Sequence, residues 1–161
     1  MKTFSHLVTP IGNLLLVAED GALVHVGFPG SIADASWRRD DASLARARTE
    51  LLAYFAGQLT DFDVALAPQG SAFDTRVWKA LCAIPYGQTV TYTEIARATG
   101  IPHGARAVGQ ANGRNPIPII IPCHRVVAAG GKLGGYGGGL PIKRRLLELE
   151  RQRQPLALEL G

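Results

Sequence analysis

The chain has 161 residues, of which 47% are hydrophobic and 19% charged, so it can bury one good core or two small ones and has the composition of an ordinary globular protein. No apolar run approaches the roughly 18 residues of a membrane-spanning helix, and the N-terminus lacks the basic and then apolar pattern of a signal peptide. We therefore expect a cytoplasmic protein with no membrane partner. Two cysteines are too few for a disulfide scaffold, and no Cys and His residues have zinc-site spacing, so we expect free thiols and no metal or other cofactor.

Charge is distributed unevenly along the chain. Residues 1–72 carry five Lys or Arg and eight Asp or Glu, a balance of −3, whereas residues 73–161 carry twelve and five, a balance of +7. A basic half favours a polyanionic partner. A solvated basic surface would give the same count, so the charge alone leaves both interpretations open.

The first part of the chain is predicted to be β-rich. Apolar runs over 4–8, 13–18 and 22–28, separated by turn residues, predict an antiparallel meander. Apolar residues at helical spacing from Leu44 to Phe55 predict one helix that stops near Gly57.

A further strand and a domain boundary are predicted next. Phe62, Val64 and Leu66 alternate with polar residues as a strand would. Pro68-Gln69-Gly70-Ser71 has the composition of a linker, and the charge balance changes there. We therefore expect a supporting domain over 1–70 and a second domain over 71–161.

The second domain is predicted to be mostly helical. Its first helix is expected to be capped by Ser71, and its last to begin at Pro141. Between them, Thr91 and Glu94 fit a capping box that opens a short helix, and a second short helix is expected over 104–113. This pair predicts a helix-turn-helix, although any hairpin of two helices would look similar.

The second of these short helices is made almost entirely of small residues. Its exception is Arg106, a long cation among short side chains. Small residues with one Arg fit a shape-reading approach to the DNA minor groove better than base reading in the major groove. Tight packing inside the domain would explain the small residues equally well.

A cysteine, a histidine and an arginine follow one another at 123–125, after the apolar run 119–121. A thiol becomes a strong nucleophile as the thiolate, which nearby cationic or proton-accepting groups favour. Pro122 is expected to hold Cys123 at a rigid strand end. Neighbouring residues on a strand point to opposite faces, so contact between Cys123 and His124 requires a turn or a helix start. The alternative is a buried structural cysteine.

Two later features complete the pattern. The glycine-rich segment 128–139 carries one aromatic residue, Tyr136, and is interpreted as a pocket wall or as an ordinary surface loop. Glu150 lies at the edge of the apolar face of the last helix, where a carboxylate needs a partner such as His124 or Arg125. A solvated Glu150 is the alternative.

Together these segments resemble the O6-alkylguanine-DNA alkyltransferases. The resemblance is strong over 71–151, and it rests on segments that occur in that family's order and spacing: 121–127, 86–87, 91–92, 105–109, 115–116, 135–136 and 143–150. It implies an α+β fold, with an N-terminal antiparallel β-sheet and helix of the ribonuclease H-like kind. A mostly helical C-terminal domain with a helix-turn-helix would follow.

The resemblance also implies direct DNA repair. The protein would bind double-stranded DNA at the minor groove, flip the damaged nucleotide and move the alkyl group of O6-alkylguanine, and of O4-alkylthymine, irreversibly to Cys123. Each molecule would react once. We expect a monomer that clusters on DNA.

Residue roles follow from the same resemblance. Glu150 would orient His124, which would take the Cys123 proton through a water, while Tyr92 would donate a proton to the departing guanine and Asn115 would brace the turn before the cysteine. DNA would be contacted by Arg106, which fills the gap in the base stack, and by Ala105, Gly109 and Thr91. The substrate pocket would be walled by Pro118, Val126 and Tyr136.

Departures from the family and rival functions are also expected to matter. Residues 1–72 contain no Cys, so the zinc site of some relatives has no counterpart, and the chain is too short for an added regulatory module. A non-catalytic lesion sensor, a helix-turn-helix regulator and a cysteine hydrolase are the alternatives. Cys123 argues against the first, and no oxyanion-hole motif supports the last.

Overall fold

A computed structural model describes residues 1–153 and Leu156. The first half contains, in chain order, β1 (Thr3–Thr9), β2 (Gly12–Glu19), β3 (Ala22–Gly27), β4 (Arg38–Arg39) and α1 (Ala45–Phe55). The second half contains α2 (Ala72–Cys82), β5 (Val90–Thr91), α3 (Tyr92–Ala98), α4 (Ala105–Gly113), β6 (Val126–Val127) and α5 (Leu140–Gln152). Short 3-10 turns lie at Ala42–Leu44, Cys123–Arg125 and Ala129–Gly131.

The predicted meander is present as a four-stranded sheet in the order β3-β2-β1-β4. β1 pairs with β2 and β2 with β3, both antiparallel. The turn between β2 and β3 places Asp20 and Gly21 at positive φ, which Asp tolerates and glycine adopts freely. β4 adds a two-residue parallel pair to β1, in a polar stretch where no strand was predicted.

The strand predicted at 62–66 is wrong. Only Leu66 forms a bridge, to Leu23, and this pairing is parallel. The backbone N–H groups of Asp63 and Val64 donate instead to the Glu50 carboxylate, at 2.8 and 3.0 Å. The Glu50 side chain on α1 therefore accepts from two N–H groups that would otherwise donate to a neighbouring strand.

One buried core runs through both halves of the molecule. It joins residues of the sheet and α1, such as Leu16 and Leu51, to residues of α2 and α5, such as Val77 and Leu146. Each such aliphatic side chain stabilises the fold by about 1.5–3 kcal/mol on burial. A smaller cluster on the other sheet face is covered by Trp37.

The helices of the second half begin where local signals place them. The Ser71 hydroxyl accepts a hydrogen bond from the N–H of Asp74 at 3.0 Å, and the Thr91 hydroxyl accepts one from the N–H of Glu94 at 3.1 Å. In a full capping box the Glu94 carboxylate would accept from the backbone N–H of Thr91. Here it accepts instead from the Thr91 hydroxyl, at 3.3 Å.

α3 and α4 pack as two short helices joined by a turn, and α4 is tied to α2. The Trp78 indole donates to the carbonyl of Ala111 at 2.9 Å inside the core. The Arg114 guanidinium pairs with Asp74 at 2.7 Å. These contacts fix the direction in which α4 points its outer face. No helix in the part of the chain that the structure describes is long and apolar enough to cross a bilayer.

Candidate active site

The segment that carries Cys123 is a buried irregular turn, so the expected rigid strand end is wrong. The Asn115 amide donates to the carbonyl of Ile121 at 2.8 Å, and its oxygen accepts from the N–H of Ile117 at 3.0 Å. Ile119 adopts φ +74°, a left-handed conformation that a β-branched residue rarely takes. Three prolines, at 116, 118 and 122, deprive this stretch of the N–H groups that a strand would use.

Cys123 opens a 3-10 turn that continues through His124 and Arg125. All three side chains are buried. The turn therefore supplies the local geometry that adjacent residues require in order to serve one site. Asn112, on the last turn of α4, reaches the Cys123 carbonyl at 3.4 Å and ties the turn to the helix.

Glu150 is buried and has three side-chain partners. His124 Nε2 lies 2.6 Å from its Oε2, Arg125 Nε donates to Oε1 at 2.7 Å, and the Tyr54 hydroxyl donates to Oε2 at 2.6 Å. Both His124 and Arg125, the partners proposed from the sequence, therefore contact Glu150. The alternative, in which Glu150 is solvated, is wrong. Tyr54, on α1, is an addition from the first half of the chain.

These contacts set the protonation states of the pair. Burial alone would raise the pKa of Glu150, but the hydrogen bonds from His124 and Arg125 outweigh it and lower the pKa to about 2. Burial lowers the pKa of His124 below its usual value. A charged carboxylate only accepts, so the neutral imidazole carries its proton on Nε2 and presents a free lone pair on Nδ1. That Nδ1 atom is buried with no partner among the described residues.

Burial also dominates at the thiol. It raises the pKa of Cys123 to about 11, although the Asn115 amide and the Lys143 ammonium each act to lower it. The resting side chain is thus the thiol at neutral pH. A reaction at this sulfur requires a proton acceptor nearby, and the His124 imidazole is the neutral base in the same turn.

Lys143 is a site residue that the sequence did not reveal. It is fully buried on α5, and its ammonium donates to the carbonyls of Val126 at 2.7 Å and Gly135 at 3.1 Å, and to that of Leu133. It thereby holds the glycine-rich segment against β6. Its position three residues before Leu146, on the buried face, was the available signal, since an unpaired lysine is not stable there.

Cys123 lies in a cavity of about 330 Å³, a size suited to a small organic group. The cavity brings together six of the residues singled out from the sequence, namely Cys123, Tyr92, Asn115, Pro118, Tyr136 and Gly109. Phe28, the residue directly after β3, also lines the cavity. No pattern in the sequence indicated that it belongs to the site. The Tyr136 hydroxyl is buried without a hydrogen-bond partner among the described residues.

Val126 is not part of that cavity wall. It pairs with Val90 in the two-stranded β5–β6 sheet, and its carbonyl is engaged by Lys143. Thr91 serves as the N-cap of α3. Within the described residues there is no group of three or more side chains suited to hold a metal ion.

The outer face of α4 presents Arg106 and small residues. Arg106 is exposed and forms no ion pair or hydrogen bond with any described residue, while Ala105 beside it is partly exposed. A Cβ atom added to Gly109 would lie 3.8 Å from the Tyr92 ring, an ordinary contact. Internal packing therefore does not require glycine at this position.

The site combines a buried thiol, a hydrogen-bonded His–Glu pair and a neighbouring helix-turn-helix, which is the arrangement of a cysteine-dependent DNA-binding protein. Residues 72–152 match the family model described as 6-O-methylguanine DNA methyltransferase, DNA binding domain, and residues 4–68 match the one described as its ribonuclease-like domain. The chain belongs to the O6-methylguanine DNA methyltransferase family. The α+β fold expected from the resemblance is confirmed.

Relatives match over nearly the whole chain. A methylated-DNA–protein-cysteine methyltransferase of Mycobacterium tuberculosis is 51% identical over 155 residues, which cover 94% of each chain. One of the same name from Methanosarcina acetivorans is 50% identical over 147 residues, covering 88% of this chain and 94% of the other. Among solved structures, Mycobacterium tuberculosis OGT in complex with DNA matches with a TM-score of 0.91 at 50% identity, covering 95% of both chains.

Proposed function

We propose that this protein repairs alkylated DNA directly, by moving the alkyl group of O6-alkylguanine, and of O4-alkylthymine, to Cys123. The observation that carries the proposal is the buried thiol on the wall of a cavity, in the same turn as an imidazole that Glu150 holds. Relatives about half identical to this chain bear the name methylated-DNA–protein-cysteine methyltransferase. Each molecule reacts once, because a thioether is not reversed by the groups in this site.

The proton path follows from the tautomer of His124. Its Nδ1 lone pair takes the Cys123 proton through a water, and Glu150 stabilises the imidazolium that forms. The thiolate then attacks the alkyl carbon, so that a sulfur–carbon bond forms while the carbon–oxygen bond to guanine breaks. The electron pair of that bond stays with guanine.

Tyr92 would balance the negative charge that develops on the departing guanine. Burial raises the pKa of its phenol, so it remains protonated and can donate to guanine as the base leaves. Its hydroxyl lies near the glycine-rich segment, since a Cβ atom added to Gly134 would be 2.7 Å from it. Pro118 and Tyr136 line the remaining cavity, where a flipped base would be stacked and its cost of unstacking partly recovered.

DNA would be met at the minor groove by the outer face of α4. Arg106 has no partner among the described residues to hold it back, and Ala105 and Gly109 leave room for the sugar–phosphate backbone. Thr91 would contact DNA at the start of α3. We further propose that residues 1–70 support residues 71–161, and that the protein acts in the cytoplasm as a monomer whose copies cluster on DNA.

The test is mass spectrometry of the protein after incubation with a duplex containing O6-methylguanine. We expect a gain of one methyl group on the peptide that carries Cys123, and none in Cys123→Ser. That variant should still bind the duplex, because the thiol is not on the DNA-contacting face. Cys82→Ser is the matched control: Cys82 is the other free thiol, is exposed at the end of α2, and should be dispensable.

An unmodified Cys123 peptide in a folded protein that binds the lesion would favour the lesion sensor instead. Loss of binding in Cys123→Ser would also contradict the assignment. Repeated turnover on an ester or peptide would favour a hydrolase.

A further inference from the structure

The cavity that holds Cys123 has one aromatic wall that comes from the first half of the chain. Phe28 follows β3 directly and lines the cavity together with Tyr92 and Tyr136 of the second half. Its side chain is half-buried, so it contributes both to the packing and to the inner surface of the cavity.

Phe28 packs on the glycine-rich segment at close range. Its ring centroid is 5.3 Å from that of Tyr136, with the planes at 68°, an edge-to-face arrangement. A Cβ atom added to Gly138 would lie 2.7 Å from two of its ring carbons, and one added to Gly137 would lie 3.8 Å away. Only a residue without a side chain fits at 138 while the ring stays where it is.

The backbone around Phe28 is fixed by hydrogen bonds on both sides. The N–H of Val26 donates to the carbonyl of Pro116 at 2.8 Å, which joins the end of β3 to the segment that leads to Cys123. The N–H and hydroxyl of Ser31 donate to the carbonyl of Phe28 at 3.0 and 2.7 Å, which closes a tight turn after it. The backbone that carries the ring is therefore anchored to the sheet and to the segment before Cys123.

The glycine-rich segment depends on such outside support. Lys143 holds it by the carbonyls of Leu133 and Gly135, and Phe28 holds the part that follows, at Tyr136 and Gly138. With little side-chain packing of its own, a segment of this composition moves wherever it is not held.

We propose that Phe28 determines which alkyl groups the site accepts, by fixing the position of Tyr136 and by limiting the apolar space beside Cys123. This inference rests on the proposed function and adds a specificity-determining residue to it. Small differences in apolar volume in such a pocket change the reaction rate by about tenfold or more. Removal of the Phe28 ring would enlarge the apolar space beside Cys123, which would favour a benzyl group over a methyl group.

The experiment compares single-turnover transfer from duplexes of one sequence that carry O6-methylguanine or O6-benzylguanine. In Phe28→Ala the benzyl-to-methyl rate ratio should rise by about tenfold relative to the unchanged protein, and in Phe28→Leu it should rise less. An unchanged ratio in both variants, whether the two rates fall together or stay the same, would overturn the inference.

A second substitution tests the contact itself and does not remove the aromatic ring. Gly138→Ala should slow methyl transfer, because its Cβ displaces Phe28 or the segment by more than the packing allows. The same change made in Phe28→Ala should have a much smaller effect, since the clash is gone. Equal effects in the two backgrounds would show that the two residues are not coupled and would contradict the proposal.

The control is Phe4→Ala. Phe4 is also a half-buried phenylalanine of the first half, but it lies in the small cluster on the other face of the sheet. It should leave the benzyl-to-methyl ratio unchanged even if it lowers the melting temperature. The unchanged protein separates the two ideas: if it fails to transfer methyl, the proposed function is lost, whereas transfer with an unaltered ratio in the Phe28 variants removes only this inference.

Discussion

Glu150 is a buried carboxylate whose oxygens accept hydrogen bonds from several side chains. A buried charge is tolerated only when its lone pairs are occupied, and here Tyr54, His124 and Arg125 occupy them. Arg125 is held in turn by the carbonyl of Ile84 at 2.8 Å and by the face of the Tyr86 ring. The orientation of His124 is thus fixed by a network and not by one contact.

Glu150→Gln should destabilise the protein by about 3 kcal/mol or more, because it leaves the Arg125 charge buried without its partner. It should also change how stability depends on pH. The carboxyl has a pKa of about 2 in the folded protein and an ordinary value of 4.5, so its contribution is complete above pH 4.5 and is lost as the pH falls towards 2.

The measurement is urea unfolding at a series of pH values between 6 and about 2. The unchanged protein should lose stability steeply in that range, and Glu150→Gln should lose less. Glu148→Gln is the control, since Glu148 is exposed on the same helix and pairs with Arg151. Equal pH dependence in the Glu150 and Glu148 variants would contradict this account.

The sequence located Glu150 but not all of its partners. Helical spacing placed it beside a buried stripe, and His124 and Arg125 were the polar residues already suspected nearby. Tyr54 lies 96 positions away on α1, and no local pattern connects the two. Contacts of this kind depend on how elements dock, which a single sequence does not encode in periodicity or capping.

Among the elements, α4 carries on its outer face the exposed Arg106, which has no hydrogen bond or ion pair with any described residue. Trp78 and Arg114 fix its inner side and its end, so Arg106 projects from a rigid support. The backbone that carries Arg106 is thus fixed, although the guanidinium itself has no partner among the described residues.

Arg106→Ala should slow repair of a duplex by at least about tenfold, equivalent to about 1.4 kcal/mol of transition-state free energy. Reaction with free O6-benzylguanine should be nearly unaffected, because no base stack has to be filled. Both rates can be measured by single-turnover labelling of Cys123. Arg144→Ala, an exposed cation on α5, is the matched control. Equal losses on duplex and free base would exclude the stack-filling role.

Elements with local start and stop signals were predicted well, whereas those set by tertiary contacts were not. Ser71 and Thr91 cap α2 and α3 as expected. The run 62–66 alternates like a strand, yet Glu50 captures its N–H groups. The apolar run before Cys123 looked like a strand, but its prolines and the Asn115 side chain fold it into a turn.

At the scale of the whole molecule, an acidic first part with a balance of −3 is joined to a basic second part. The second half carries the balance of +7, and it contains α3, α4 and the cavity. A long anionic partner would therefore be attracted to the half that contains the cavity. Its association rate would be higher than that of an uncharged partner.

Binding to undamaged duplexes should be strongly sensitive to salt and weakly sensitive to sequence. The affinity should fall by about tenfold or more between about 50 and 200 mM salt, because each neutralised phosphate releases counterions. Fluorescence anisotropy with several unrelated duplexes would measure this. Tight, salt-insensitive binding to one sequence alone would favour a transcriptional regulator.

The hydrogen bond between Tyr54 and Glu150 joins the last helix of the described chain to the first. The same carboxylate holds His124, so the imidazole is aligned only when α5 has docked against α1. A chain that ends before α5 would keep the Cys123 thiol but would lack the carboxylate that orients its base.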